Sequence, residues 1–146
     1  MIFILIILLA LVSYYDAKTL LIKDSYNIAI AFFGVLYIFM RNNTLQNGLL
    51  SSFIGASILF IIDRLTIIIA KKEGFGYGDM KLLLALGLFI SPIQMIFLIF
   101  FSVIIASFFA IYLIYKKYEY MPFGPFLCAG FILSYFEVHL YFISLI

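Results

Sequence analysis

From residue 82 to residue 115 the chain carries no charged side chain, and this run limits the possible folds more than any other feature. As one α-helix it would be about 50 Å long, whereas the apolar core of a bilayer is about 30 Å thick. Ser91-Pro92 lies inside the run. Serine is a good N-cap and proline a good first helical residue, so a new helix can start there. We therefore predict two helices, at residues 80–90 and 92–115.

The rest of the chain is almost as apolar, since 67% of its 146 residues are hydrophobic and only 11% are charged. Soluble domains are nearer half apolar and a quarter charged, whereas a membrane helix needs about 17–25 apolar residues. The predicted fold class is all-α: a polytopic integral membrane protein that forms a single membrane-embedded domain. About six transmembrane helices are predicted, near residues 1–15, 25–40, 49–70, 80–90, 92–115 and 122–144.

The first helix is predicted to be retained and not cleaved as a signal peptide. No basic stretch precedes it, and no small-residue cleavage site follows it.

The basic residues predict the orientation of these helices. If six helices alternate in direction, seven of the nine Lys and Arg fall on one side, with Arg41 on the other and Arg64 inside a span; the seven are Lys18, Lys23, Lys71, Lys72, Lys81, Lys116 and Lys117. Positive charge is retained in the cytoplasm, so both termini are predicted to lie outside. Asp16 and Asp79 then lie at the same, cytoplasmic face.

Asp16 follows the first predicted helix and Asp79 precedes the fourth, at similar depth. This placement makes them a candidate catalytic pair. An acid near the bilayer is costly and is usually kept for a reason. Two carboxyl groups within a few ångströms titrate as a unit and can share one proton. The ionised group can then take a proton from an attacking water while the other protonates a peptide carbonyl. On spacing alone, two solvated loop acids remain the alternative.

Three alternating glycines precede the second acid, in Glu73-Gly-Phe-Gly-Tyr-Gly-Asp79-Met-Lys81. Glycine allows positive φ and the close approach of another chain, so an extended peptide could lie against this segment. Gly76 and Gly78 are therefore predicted to support substrate binding. The alternative is a flexible turn in which Asp79 is an N-cap.

Three motifs in order resemble the type IV prepilin peptidases, which are GxGD-type membrane aspartic proteases: Asp16-(x)7-Asp24, the glycine motif through Leu83, and Met121-Pro-Phe-Gly-Pro-Phe126. The resemblance covers nearly the whole chain. It implies that Asp16 and Asp79 are the catalytic pair. It further implies cleavage of prepilins or pseudopilins after a glycine that ends a short basic leader, at the cytoplasmic face of a bacterial inner membrane.

Further residues are predicted to support the site. Lys81 is a candidate to hold an acidic substrate residue or to tune the acid pair, with a snorkelling lysine as the alternative. Backbone groups left unpaired by two prolines and a glycine could bind an extended substrate, unless the segment is a simple helix start; it comprises Pro122, Phe123, Gly124 and Pro125. Asp24 is predicted to cap the second helix. Asp63 and Arg64, being sequence neighbours, are not expected to face each other and are given a structural role.

Two departures from the family pattern qualify the resemblance. Lys23 precedes Asp24 where the family usually has proline, which loosens the turn after the first helix. Many bacterial members begin with a cytoplasmic domain that has paired CxxC zinc motifs and is associated with methylation, whereas this sequence has one cysteine, Cys128. We therefore predict a peptidase without methyltransferase activity, without a metal or other cofactor. A natural short form and a fragment both remain open, and the oligomeric state is not predicted.

Two other function classes remain as alternatives. Gly76-Tyr-Gly-Asp79 resembles a potassium-channel filter, but the charged residues before it do not suit pore depth. A non-catalytic membrane subunit of a pilus or secretion machine is the other alternative. The predicted partners are prepilins or pseudopilins and the lipid bilayer, and a net charge of +2 gives no indication of nucleic acid.

Overall fold

A computed structural model describes residues 2–41, 45–71, 75–115 and 121–136 of the chain. These residues form six α-helices and no strand: α1 (Ile2–Thr19), α2 (Asp24–Arg41), α3 (Leu45–Ala70), α4 (Tyr77–Gly87), α5 (Pro92–Tyr115) and α6 (Gly124–Tyr135). The all-α prediction is thus confirmed for the described residues. Two stretches, Leu45–Ile69 and Pro92–Tyr112, are long and apolar enough to cross a membrane.

The charge-free run is broken where its Ser-Pro pair predicts. α4 ends at Gly87 and α5 begins at Pro92. Ser91 is a reciprocal cap: its N–H donates to Gln94 Oε1 at 2.8 Å, and the Gln94 N–H donates to Ser91 Oγ at 3.4 Å. Both bonds occupy donors that a helix start otherwise leaves free.

α1 is longer than predicted, and α4 is as long as predicted but lies three residues earlier in the chain. α1 continues past residue 15 to Thr19, and α4 begins at Tyr77 and not at residue 80. Both acids therefore lie inside helices, because a helix can extend a turn beyond the apolar residues that mark it in the sequence. α1 closes at Leu20, which has φ 54 and donates its N–H to the carbonyl of Asp16 at 2.9 Å.

The other boundaries differ by one to four residues, or lie outside the described residues. α2 and α3 begin at Asp24 and Leu45, before the predicted residues 25 and 49. α6 begins at Gly124 instead of residue 122, and the part of this helix predicted beyond residue 136 lies outside the described residues.

The short helix α4 lies at the centre of the fold, where it packs against α2, α3 and α6. Small residues let its backbone approach α3: a Cβ added to Gly87 would lie 2.4 Å from the Ser52 Cα. Ser52 Oγ also donates to the carbonyl of Leu84 at 2.7 Å. Such small-residue contacts with hydroxyl bonds are typical of helices that associate in lipid.

The packing around α4 places three helix ends at one end of the bundle. α6 packs against α1 and α5 as well as α4. The carboxyl end of α1 therefore meets the amino ends of α4 and α6, which carry the sequence motifs singled out above.

Candidate active site

Asp16 lies in the last turn of α1, and only 5% of its surface is exposed. Its Oδ2 accepts the Gly124 N–H at 2.8 Å. Gly124 is the first residue of α6, where the N–H has no partner within the helix, and the positive end of the helix dipole favours a carboxylate. A Cβ at position 124 would lie 2.7 Å from that oxygen, so glycine is required for this approach.

Asp79 lies in the first turn of α4 and is 7% exposed. Its Oδ2 accepts the Gly76 N–H at 3.2 Å. Gly76 is the N-cap residue, so the suggestion that Asp79 is the N-cap is wrong: it lies three residues further and bonds back. Its Oδ1 is buried and has no hydrogen-bond partner among the described residues. Leaving a buried carboxyl oxygen unpaired is costly, which marks this atom as a place for a proton or a ligand.

The structure brings the two acids together. Asp79 lies within electrostatic reach of Asp16, although the two residues are 63 positions apart in the chain. Both also act electrostatically on the thiol of Cys128, which lies four residues beyond Gly124 on α6. The two carboxyl groups therefore lie close together, next to the beginnings of α4 and α6.

The segments that hold these acids also contact each other. The ring of Phe75 packs edge-on against that of Phe123, with 4.7 Å between centroids. Phe75 precedes Gly76, which binds Asp79, and Phe123 precedes Gly124, which binds Asp16. One aromatic contact thus joins the two backbone donors. Pro125 follows in the first turn of α6, where a missing N–H costs nothing.

Substrate binding by the glycines stays a prediction, but the structure shows how their backbone is used within the protein. Neither Gly76 nor Gly78 has a positive φ, and Gly76 is extended with φ −77 and ψ 150. Gly78 serves a close approach within the protein, because its added Cβ would lie 3.0 Å from the Ile22 Cβ. Its carbonyl accepts a bond from Asn27 Nδ2 at 3.4 Å. The sequence signal for Asn27 was only that it is a lone amide in an apolar helix.

Lys81 bonds a residue of the chain itself. Its Nζ lies 2.8 and 2.9 Å from the two carboxylate oxygens of Asp24, the first residue of α2. Both side chains are more than half exposed. The sequence predicted Asp24 as a cap and Lys81 as a substrate or tuning residue, but their pairing could not be read from spacing. It joins the beginning of α2 to the first turns of α4.

The structure also contradicts the expectation for Asp63 and Arg64. They form an ion pair, with Arg64 Nη2 2.7 Å from Asp63 Oδ2. Asp63 is almost completely buried, and its Oδ1 accepts the Phe75 N–H at 3.2 Å. The expectation that these neighbours do not face each other is therefore wrong.

Some predictions fall on residues that the structure does not describe. They concern Glu73 and Gly74 of the glycine motif, and Lys72, Lys116 and Lys117 of the basic side. Within the described ranges, no group of three or more His, Cys, Asp or Glu side chains could hold a metal ion.

The sequence was compared with known proteins. The profile of the type IV leader peptidase family matches residues 3–111, which include Asp16 and Asp79 but end before Pro122. A prepilin leader peptidase/N-methyltransferase of Neisseria gonorrhoeae is 30% identical over 114 residues, covering 77% of this chain and 40% of that protein. Another, of Dichelobacter nodosus, is 29% identical over 113 residues, with 77% and 40% covered.

A third such protein, of Aeromonas hydrophila, is 27% identical over 130 residues, with 85% of this chain and 45% of that protein covered. The chain thus spans less than half the length of these curated relatives. No solved structure matches it.

Proposed function

Because the chain belongs to the type IV leader peptidase family, as its motifs predict, we propose that it is a membrane aspartic endopeptidase. Its substrates are type IV prepilins or pseudopilins, cut after the glycine that ends a short basic leader. The observation that carries the proposal is the meeting of Asp16 and Asp79. Both are buried, each is held by one backbone N–H, and each lies within electrostatic reach of the other.

In the proposed mechanism, a water attacks the scissile carbonyl between the two acids. Asp16 is the base, because the Gly124 N–H and the amino end of α6 favour its ionised form. Asp79 carries the shared proton on its otherwise unpartnered Oδ1 and donates it to the carbonyl oxygen. The new C–O bond gives a tetrahedral diol. When its C–N bond breaks, the leaving amine takes a proton from Asp16, and a hydroxyl proton of the diol returns to Asp79.

The proposed setting is the inner membrane of a bacterium, with the helices of one domain crossing it and the acids at the cytoplasmic face. Large apolar side chains on the outside of α5 support this setting, among them Phe100, Phe108 and Ile111. Such a surface suits lipid and not water. Lys18 lies in the last turn of α1, as Asp16 does, Lys23 directly precedes α2 and Lys71 directly follows α3. The positive-inside rule favours such basic residues at a cytoplasmic face.

The alternative of a potassium-channel filter has no support in the geometry. Tyr77, Gly78 and Asp79 are the first three residues of α4, so their carbonyls follow a helix and do not line a pore. The Gly78 carbonyl accepts the bond from Asn27.

Expression with a prepilin in cells that lack a prepilin peptidase tests the proposal. We expect the prepilin to lose its leader and, by N-terminal sequencing, to begin directly after the leader's last glycine. We expect mass spectrometry to find the new N-terminus unmethylated. If the chain is in the membrane fraction and the prepilin keeps its leader, the proposed function is wrong.

Reversing the charges of the Asp24–Lys81 pair separates its two possible roles. An exposed pair contributes up to about 1 kcal/mol, so Lys81→Asp or Asp24→Lys alone is expected to slow cleavage about threefold to tenfold. We expect the double variant to recover most of the wild-type rate, as measured on purified protein. A double variant as slow as Lys81→Asp would instead indicate that Lys81 binds the substrate.

A further inference from the structure

A third acid, Asp63, lies outside the pair described above, and no role in the reaction has been assigned to it. It lies within α3 and is 2% exposed. A buried carboxylate needs partners, since its desolvation is otherwise costly. Arg64 donates to one oxygen at 2.7 Å, and the Phe75 N–H donates to the other at 3.2 Å. The second bond reaches out of α3 to the segment that leads into Asp79.

Arg64 contacts the same segment at a second point. Its guanidinium lies within electrostatic reach of the side chain of Tyr77 and over the ring of Phe60, 5.2 Å from the centroid. Asp63 and Arg64 thus hold the residues on either side of Gly76. The N–H of Gly76 is the donor that holds Asp79 Oδ2 at 3.2 Å.

The held segment also reaches the other acid. The Phe75 ring packs on Phe123, 4.7 Å between centroids, and the next residue, Gly124, donates to Asp16 at 2.8 Å. A shift of Phe75 would therefore displace the backbone N–H donors that hold both carboxyl groups. A displacement of about 1 Å in a catalytic geometry can cost about a hundredfold in rate.

We propose that Asp63, together with Arg64, is a positioning residue for the catalytic acids, which it holds in place through Phe75 and Tyr77. The proposal rests on the proposed peptidase function. In it, Asp63 touches neither substrate nor water. Its contribution is to fix the turn of residues 75–77, whose backbone aims Asp79 and whose aromatic ring supports the segment that aims Asp16.

Two substitutions at one position separate the hydrogen bond from the charge. Asp63→Asn keeps an oxygen that can accept the Phe75 N–H, whereas Asp63→Leu has similar size and no acceptor. Thr66→Val is the matched control, because the Thr66 hydroxyl bonds the Ile62 carbonyl of its own helix, at 2.8 Å. Tyr77→Phe removes only the hydroxyl that interacts electrostatically with Arg64, on an exposed side chain.

We expect Asp63→Leu to lower kcat for prepilin cleavage about 10- to 100-fold, with KM changed less than about threefold, because geometry and not binding is lost. Asp63→Asn and Thr66→Val are expected to stay within about threefold of wild type, and Tyr77→Phe to lose about two- to fivefold in kcat. The second measurement is the exchange of the Phe75 amide hydrogen, followed by NMR on the full chain in detergent micelles. It is expected to accelerate in Asp63→Leu alone.

Unchanged Phe75 exchange in Asp63→Leu would overturn the proposal, as would faster exchange with an unchanged kcat. If Asp63→Leu fails to fold, a wild-type kcat in Tyr77→Phe contradicts the proposal and a lowered kcat supports it. If the wild-type chain cuts no prepilin, the peptidase function fails. Amide exchange then still decides whether Asp63 holds the segment before Asp79.

Discussion

Asp79→Asn is expected to slow leader cleavage by about 10³- to 10⁴-fold, because it removes the group proposed to donate the shared proton to the scissile carbonyl. The amide is nearly the same size as the acid and can still accept the Gly76 N–H. Folding and membrane insertion should therefore be unchanged. The initial rate of prepilin cleavage by purified protein, with membrane fractionation as a check on insertion, measures this effect.

Asp16→Asn is expected to cost as much, and the double variant little more than either alone, since the two acids act as a unit. Asp24→Asn is the matched control, an exposed acid whose loss removes only the pair with Lys81. It is expected to cost less than about fivefold. If either Asp16→Asn or Asp79→Asn cuts at more than about a tenth of the wild-type rate, the assignment of the pair is wrong.

Gly124→Ala is expected to slow cleavage about a hundredfold without removing any reacting group. The added Cβ would lie 2.7 Å from Asp16 Oδ2 and 3.1 Å from its Cγ, so either Asp16 or the beginning of α6 must move. Either movement breaks the bond between the Gly124 N–H and Asp16. Because misplacement of a catalytic group by about 1 Å has this order of effect, the loss should appear in kcat.

Gly48→Ala is the control for this substitution. The added Cβ would lie nearest to the flexible end of Ile38, with Cδ1 at 3.0 Å. Gly48 lies in the first turn of α3, a helix that does not pack closely against α1. We expect it to cut at close to the wild-type rate. A Gly124→Ala protein that cuts as fast as wild type would show that the Gly124 contact does not position Asp16.

Features set by local chemistry could be predicted from the sequence. Ser91-Pro92 starts α5 because serine and proline have the same capping chemistry in any protein. The two acids could be placed at one end of the bundle, because an even number of helices, α2 and α3, lies between them in the chain. The end of α1 and the beginning of α4 could not be predicted, because polar residues extend each helix there by about a turn.

Features that depend on contacts between distant residues could not be predicted. The segment 122–125 was predicted to offer unpaired backbone groups to a substrate. The Gly124 N–H instead donates to Asp16, 108 residues away in the chain. Substrate binding by this segment stays a prediction. Lys81 had no partner in the sequence reasoning, and Asp24 lies 57 residues before it. An acid within an apolar helix, such as Asp63, indicates that the side chain has a partner, but the sequence does not show that this partner is the Phe75 N–H.

The sharing of one proton between Asp16 and Asp79 is tested most directly by infrared titration of their carboxyl groups. Difference spectra of wild type against Asp16→Asn and Asp79→Asn isolate the two carboxyl bands across pH. If the pair shares a proton, the wild-type titration will not equal the sum of the two single-variant titrations, because removing one acid changes how the other ionises. If the wild-type curve is that sum, the two acids ionise independently and do not act as a pair.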